Sequence, residues 1–244
     1  MSRKGTLTEL PCGKRSVLVY CPSAEFCKAQ LPIAWICAGD EVRTTLEQIL
    51  LQLEPQFGRT CAPFCICSVV PAEWGRDYTP WPVPSLWKSG EPFTGGAKDF
   101  FELLTCQAMP LVQKRLPVSE QAEQTALLGY SLGGLAALWQ TAQDWHFGMC
   151  GSISGSLWYD NFPAWFAERI DGFREKKVYL SLGRSEEKTR DPRMQQVGDC
   201  TRRAAELLHS CTKQSVLEWN SGGHFTGIPQ RIAKALLWLF RSPQ

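Results

Sequence analysis

Short apolar runs alternate along this chain with longer stretches in which leucine, isoleucine or alanine returns every three or four positions. The short runs, at residues 16–20, 32–37, 64–70, 125–128, 149–154, 178–182 and 216–219, carry the length and the Val, Ile, Tyr and Cys content of buried strands. The periodic stretches predict helices. One begins at Val42 with Leu46, Ile49, Leu50 and Leu53, one covers residues 100–111 with an interruption at Pro110, and one follows residue 131. Others run from about Phe162 to Ile170 and over 193–210, and the last carries Ile232, Ala235, Leu236 and Leu239 on one face. Strand and helix alternate throughout, which predicts an α/β fold: a mainly parallel twisted sheet with helices on both faces. The first fifteen residues are polar and predict no strand. Residues 71–96, with five prolines and Trp74, Tyr78, Trp81, Trp87 and Phe93, predict a long irregular loop.

Composition narrows the class. The chain has 244 residues, 44% hydrophobic and 20% charged, which suits one domain over residues 1–244 with a large core. Its 26 basic and 24 acidic residues nearly cancel, so neither a nucleic-acid surface nor a polybasic membrane patch is expected. No apolar segment reaches the roughly 18–20 residues of a membrane span, and the first ten residues lack the apolar core of a signal peptide. Together with eleven cysteines in irregular spacing, several inside predicted strands, this predicts a cytoplasmic protein with reduced thiols. Cys61-x3-Cys65-x-Cys67 does not have zinc-site spacing and has no histidine nearby, so neither metal nor other cofactor is expected.

The chemistry centres on Gly129-Tyr130-Ser131-Leu132-Gly133-Gly134, a G-x-S-x-G turn between an apolar run and an Ala/Leu-rich helix. A serine at the apex of such a turn holds strained backbone angles and points its hydroxyl out of the sheet, and glycines two residues to either side let strand and helix pass closely. The amide of Leu132, first in the new helix, is then a donor for an oxyanion, aided by the helix dipole. A second donor belongs in the loop after an early strand, where Gly39 or Asp40 stands.

A serine hydroxyl needs a base. Of three histidines, His146 follows the elbow helix and His209 lies within a predicted helix, whereas His224 follows the last strand in Asn220-Ser221-Gly222-Gly223-His224-Phe225. That glycine loop belongs at the carboxyl end of the sheet, where open α/β sheets form their sites. The orienting acid belongs on the loop after the penultimate strand. Glu186 is the first candidate there, with Glu187 and Asp191 behind it. Arg76, Tyr78 and Trp81 from the irregular loop, with Trp158 further on, are the candidates for substrate contact; the loop, including Lys88, suits a wall around an aromatic or partly anionic group.

Several of these stretches together resemble the putative-esterase family of α/β-hydrolases, which includes carboxylesterases, S-formylglutathione hydrolase relatives and siderophore trilactone esterases. They are Trp35-Ile36-Cys37-Ala38-Gly39-Asp40, Arg76-Asp77-Tyr78-Thr79-Pro80-Trp81-Pro82, residues 129–134, Ser154-Gly155-Ser156-Leu157-Trp158, residues 181–187 and Gly222-Gly223-His224-Phe225. The resemblance implies an α/β-hydrolase fold and a serine esterase acting on a small-molecule ester through Ser131 and His224. Whether an acid completes a triad or the pair works as a dyad stays open, as does oligomeric state. An acyltransferase built on the same nucleophile, or a non-catalytic interaction module on a hydrolase fold, are the alternatives.

Overall fold

In the structure, a computed structural model, residues 5–26, 29–39, 42–86 and 90–241 are described. Ten strands are present in them: β1 (Thr6–Cys12), β2 (Arg15–Cys21), β3 (Ile33–Cys37), β4 (Cys65–Val69), β5 (Pro82–Val83), β6 (Phe93–Thr94), β7 (Thr125–Tyr130), β8 (Met149–Ile153), β9 (Lys177–Gly183) and β10 (Gln214–Asn220). Eight form one sheet in the order β1-β2-β4-β3-β7-β8-β9-β10. From β4 through β10 all neighbours in it are parallel, while β2 runs antiparallel to both β1 and β4. β5 and β6 make a separate two-stranded ribbon inside the segment expected to be irregular.

The helices are α1 (Val42–Leu53), α2 (Trp74–Asp77), α3 (Ala97–Leu103), α4 (Met109–Arg115), α5 (Leu132–Thr141), α6 (Phe162–Glu168), α7 (Val197–Cys211) and α8 (Ile228–Leu239). None of the described helices is long and apolar enough to cross a membrane.

The strands read as continuous apolar runs because both faces of the sheet are covered. Side chains alternate across a strand, so Ile33, Trp35 and Cys37 of β3 join one core layer while Ala34 and Ile36 join the other. The first layer takes Phe100, Leu135, Phe162 and Leu208 from α3, α5, α6 and α7; the second takes Leu46, Leu50, Ile232 and Leu236 from α1 and α8. Cys65 and Cys67 face the first layer and Cys61 the second, which puts the sheet between Cys61 and the other two thiols.

Two expectations are corrected. The polar start contains strand β1, paired along its length with β2 through a two-residue turn at Gly13 (φ 61°). The interruption at Pro110 is absent as a break: α3 continues into α4 through one π-helical turn, Leu104–Ala108, with Met109 N–H donating to the Leu104 carbonyl. Widening the turn accommodates a proline, which has no N–H to give and whose ring crowds the carbonyl one turn back.

Candidate active site

Five loops meet at the carboxyl ends of the parallel strands: those after β3, β7, β8, β9 and β10. Ser131, between β7 and α5, has φ 58° and ψ −123°, a combination a side chain rarely adopts. Its backbone is held from both sides, since its N–H donates to the Ile153 carbonyl (3.1 Å) and its carbonyl accepts from the Ser156 N–H (3.1 Å). The close approach needs the two glycines. A Cβ on Gly129 would run into the Gly133 backbone, and one on Gly133 would lie 2.5 Å from the Cys37 carbonyl oxygen. Leu132 opens α5, so its amide has no carbonyl of that helix to bond.

His224 and Glu186 arrive from the loops after β10 and β9. His224 Nε2 lies 3.0 Å from Ser131 Oγ, and His224 Nδ1 lies 2.7 Å from Glu186 Oε2. The other oxygen, Oε1, accepts from Ser154 Oγ (2.7 Å), the Gly183 amide (2.7 Å) and Arg231 Nη1 (2.8 Å). Burial alone would push the Glu186 carboxyl up, but the bonds from His224, Ser154 and Gly183 outweigh it and hold the group below the ordinary carboxylate range. Glu187 instead pairs with Arg202, and Asp191 caps the turn before α7 by accepting from the Arg193 and Met194 amides. His146 bonds Asp144, and His209 sits exposed on α7. Thus Ser131, Glu186 and His224 are brought together, and the other histidines and candidate acids lie elsewhere.

A cavity of about 730 Å³ opens over Ser131. Gly39 and Leu132 line it, as does Trp158; Asp40 lies outside the described residues, as do Trp87 and Lys88. Its walls are mainly apolar, with Trp74, Leu86 and Phe93 from the 71–96 segment, Met194 from the turn before α7, Val197 from its start, and Ile228, Pro229 and Ile232 from α8.

Arg76, Tyr78 and Trp81 are not in this lining. Arg76 reaches Asp77 (2.9 Å) and Asp99 (2.8 Å). Tyr78 is fully buried and donates its hydroxyl to the Ala38 carbonyl (3.0 Å), tying the 71–96 segment to the loop after β3. Trp81 gives its indole N–H to the Asp160 carbonyl (2.9 Å) and packs on Tyr159 and Trp165. Tyr78 and Trp81 spend their polar hydrogens on backbone carbonyls of the fold, and Arg76 is drawn to Asp77 and to the exposed Asp99, so none of the three is turned to the cleft.

Three site residues were not singled out by residue type. Ser156 places its Oγ 3.5 Å from Ser131 Oγ. Ser154, with φ 50°, donates to Glu186 and accepts from Arg231. Arg231 is 3% exposed although charged; its sequence signal is a cation on the apolar stripe of α8, one turn before Ala235. Among the described residues no group of three or more His, Cys, Asp or Glu side chains is arranged to hold a metal ion.

Comparison with known proteins adds to this geometry. The sequence profile described as "Putative esterase" matches residues 59–227. A curated protein of Bacillus subtilis strain 168, the uncharacterized protein YbbA, is 29% identical over 190 residues, covering 75% of this chain and 73% of that one. Among solved structures, an IroE-like serine hydrolase from Shewanella oneidensis superposes with a TM-score of 0.73 at 17% identity, covering 97% of this chain and 78% of that one. The siderophore hydrolase EstA from Aspergillus nidulans gives a TM-score of 0.75 at 18% identity, covering 97% and 94%. Likeness at these identities concerns the fold, here that of α/β-hydrolases.

Proposed function

The chain belongs to the "Putative esterase" family, and from that premise we propose that it hydrolyses carboxylic esters through an acyl-enzyme formed on Ser131. The observation that carries this reading is the continuous relay from Glu186 through His224 to Ser131, at 2.7 and 3.0 Å, on the floor of the cleft.

In this reading His224 Nε2 takes the hydroxyl proton as Ser131 Oγ attacks the ester carbonyl carbon. Negative charge collects on the carbonyl oxygen, and the Leu132 amide with an amide at Gly39 donates to it. The tetrahedral intermediate collapses as His224 returns the proton to the departing alcohol. Water enters, gives a proton to His224 and attacks the acyl carbon; Ser131 recovers its proton as the acid leaves. Glu186 keeps the Nδ1–H side of the imidazole turned toward itself, so that Nε2 is free to accept from serine. No step asks for a metal or cofactor.

The walls favour an acyl or alcohol portion that is apolar or aromatic, since Trp74, Phe93 and Trp158 offer ring faces. A siderophore ester, the class for which EstA is named, is the natural compound to test beside simple esters. Cys12, Cys37, Cys61, Cys67, Cys106, Cys150, Cys200 and Cys211 are free thiols, which supports placing the reaction in a reducing compartment, the cytoplasm.

The test is hydrolysis of p-nitrophenyl acetate and butyrate, with fluorophosphonate labelling, by wild type and three variants. Ser131→Ala should abolish labelling, Ser131→Ala and His224→Ala should each lower kcat by roughly 10⁴-fold or more, and Glu186→Gln should give a smaller loss. Folded wild type that neither labels nor turns over any ester would overturn the proposal.

A further inference from the structure

Arg231 stands in the first turn of α8, buried beneath the cleft and outside its lining. A buried guanidinium is costly unless it is paired and fully hydrogen-bonded. Docking a helix does not require one, because an apolar side chain would fill the same stripe without that cost. What the guanidinium supplies is a two-sided fork. On one side Nη1 donates to Glu186 Oε1 (2.8 Å) and Ser154 Oγ (2.9 Å). On the other side Nη2 donates to the Ser221 and Gly223 carbonyls (both 2.9 Å), in the turn that carries His224. A single planar group therefore grips both the acid and the backbone that presents the base.

We propose that Arg231 is a positioning residue for the esterase reaction, setting the Glu186 carboxylate and the 221–223 turn against each other so that His224 is held between Glu186 and Ser131. The inference rests on the functional reading given above. Two further observations support it. Glu186 Oε1 is saturated by three donors while Oε2 is left to His224, so the carboxylate has one rotation available. Gly183 lies at the centre of the network, where a Cβ would lie 2.6 Å from the Gly222 carbonyl oxygen, 2.8 Å from Arg231 Nη2 and 2.8 Å from Glu186 Oε1. Space is kept open for the fork to close.

The charge has its own consequence. During the reaction His224 becomes an imidazolium, which Glu186 favours and a neighbouring cation opposes. Besides Glu186 and Arg231, the titratable groups facing the pair are Tyr130, whose ring lies 5.1 Å from His224, and Tyr179 on β9, which donates to Glu218. Burial pushes the Tyr130 phenol up to about 12 and raises that of Tyr179 further, so both stay neutral over the working range. Glu218 is in turn paired with Lys234. Removing the Arg231 charge therefore makes the imidazolium easier to form, and the acid limb of the rate profile moves to higher pH.

The experiment compares wild type, Arg231→Lys and Arg231→Gln in kcat and KM against pH, in fluorophosphonate active-site titration, and in the downfield proton resonance of the His224–Glu186 hydrogen bond, assigned by its loss in His224→Ala. Arg231→Lys keeps the charge and loses the fork. It should lower kcat by about 10²-fold, the scale of a displaced catalytic group, with KM within threefold, the acid limb unmoved and the resonance broadened or lost. Arg231→Gln should add an upward shift of the limb of about one pH unit; if it fails to fold, Arg231→Lys decides alone. Wild-type kcat in Arg231→Lys, or losses that match the fraction of titratable sites with limb and resonance unchanged, would reduce Arg231 to a packing residue and overturn the proposal. Wild type that does not label would sink the esterase reading instead, and the resonance would still show whether Arg231 holds the pair.

Discussion

Two carboxylates in the described residues, Asp77 and Glu186, are almost completely buried, and both are held by arginine. Asp77 accepts from Arg15 (2.6 Å), Arg76 (2.9 Å) and the Ala72 amide (2.8 Å). Burial would raise its carboxyl, yet the bonds from Arg15 and the Ala72 amide leave it below the ordinary range. A carboxyl lowered in the folded state contributes stability that is present above its unfolded value and lost as pH falls through the folded one. The urea midpoint should accordingly be flat near neutrality and decline below about pH 4. Asp77→Asn should lose roughly 3–5 kcal/mol at neutral pH, because it strands Arg15 in a largely buried site, and should show a shallower acid decline. An unchanged midpoint at neutral pH would remove Asp77 from the account of stability. Residue type and spacing alone could not foretell this use of Arg76. In Arg-Asp-Tyr-Thr-Pro-Trp a cation beside aromatics reads as a binding wall, and only the fold reveals that the neighbouring Asp77 and the distant Asp99 engage it.

At the level of elements, the turn from β7 to α5 is specified by glycine more than by anything else. Gly133→Ala would push a Cβ against the Cys37 carbonyl and should cost about 3 kcal/mol through overpacking. Gly223→Ala, where a Cβ meets nothing within 4 Å and φ is not positive, should change stability by under about 0.5 kcal/mol. Comparing the two by urea unfolding checks whether close approach, and not glycine as such, is what the turn requires. Elements buried on both faces were legible as apolar runs, since β3, β4, β7, β8 and β9 are buried along nearly their whole length and hold few polar residues, mostly small hydroxyls such as Ser68, Thr125, Ser152 and Ser181. β1 was not legible. It is an edge strand with one partner and alternating exposure, so Thr6, Thr8, Glu9 and Pro11 are tolerated in it. Nor could periodicity show the π-turn before Pro110, where the pattern of apolar positions slips by one residue and looks like a break.

Across the whole molecule, the cleft is walled by residues far apart in sequence: Thr45 and Gln48 of α1, Trp74, Leu86 and Phe93, Met194 and Val197, and Ile228 and Ile232 of α8. Phe93→Ala and Trp158→Ala should change the ratio of kcat/KM between butyrate and acetate esters by severalfold. Trp81→Ala should leave that ratio nearer to wild type while costing stability by about 3–5 kcal/mol, as large aromatic truncations in a core do. Equal effects on the ratio from all three would sink this division of roles. The placement of Ser131, Glu186 and His224 together was readable because each follows a strand in an α/β order, so topology alone sends all three to one end of the sheet. The walls were not, since which aromatic faces the cleft depends on partners 78 or 79 residues away, as with Trp81 and residues 159–160.

His224 follows β10, which lies at the sheet's other edge and, among the described residues, pairs only with β9. An edge strand is free to fray on its own, at a fraction of the free energy that opens the centre. Ser131, 93 residues earlier, follows β7, which is paired on both sides by β3 and β8, and strands so placed should open at a cost nearer that of the whole sheet. Heat or mild denaturant should therefore silence the protein before it unfolds: amides of β10 would exchange with solvent first, turnover would fall with them, and the tryptophans of the interior would still report a folded molecule. On refolding the order reverses, and the long separation between hydroxyl and imidazole makes activity the last property to return.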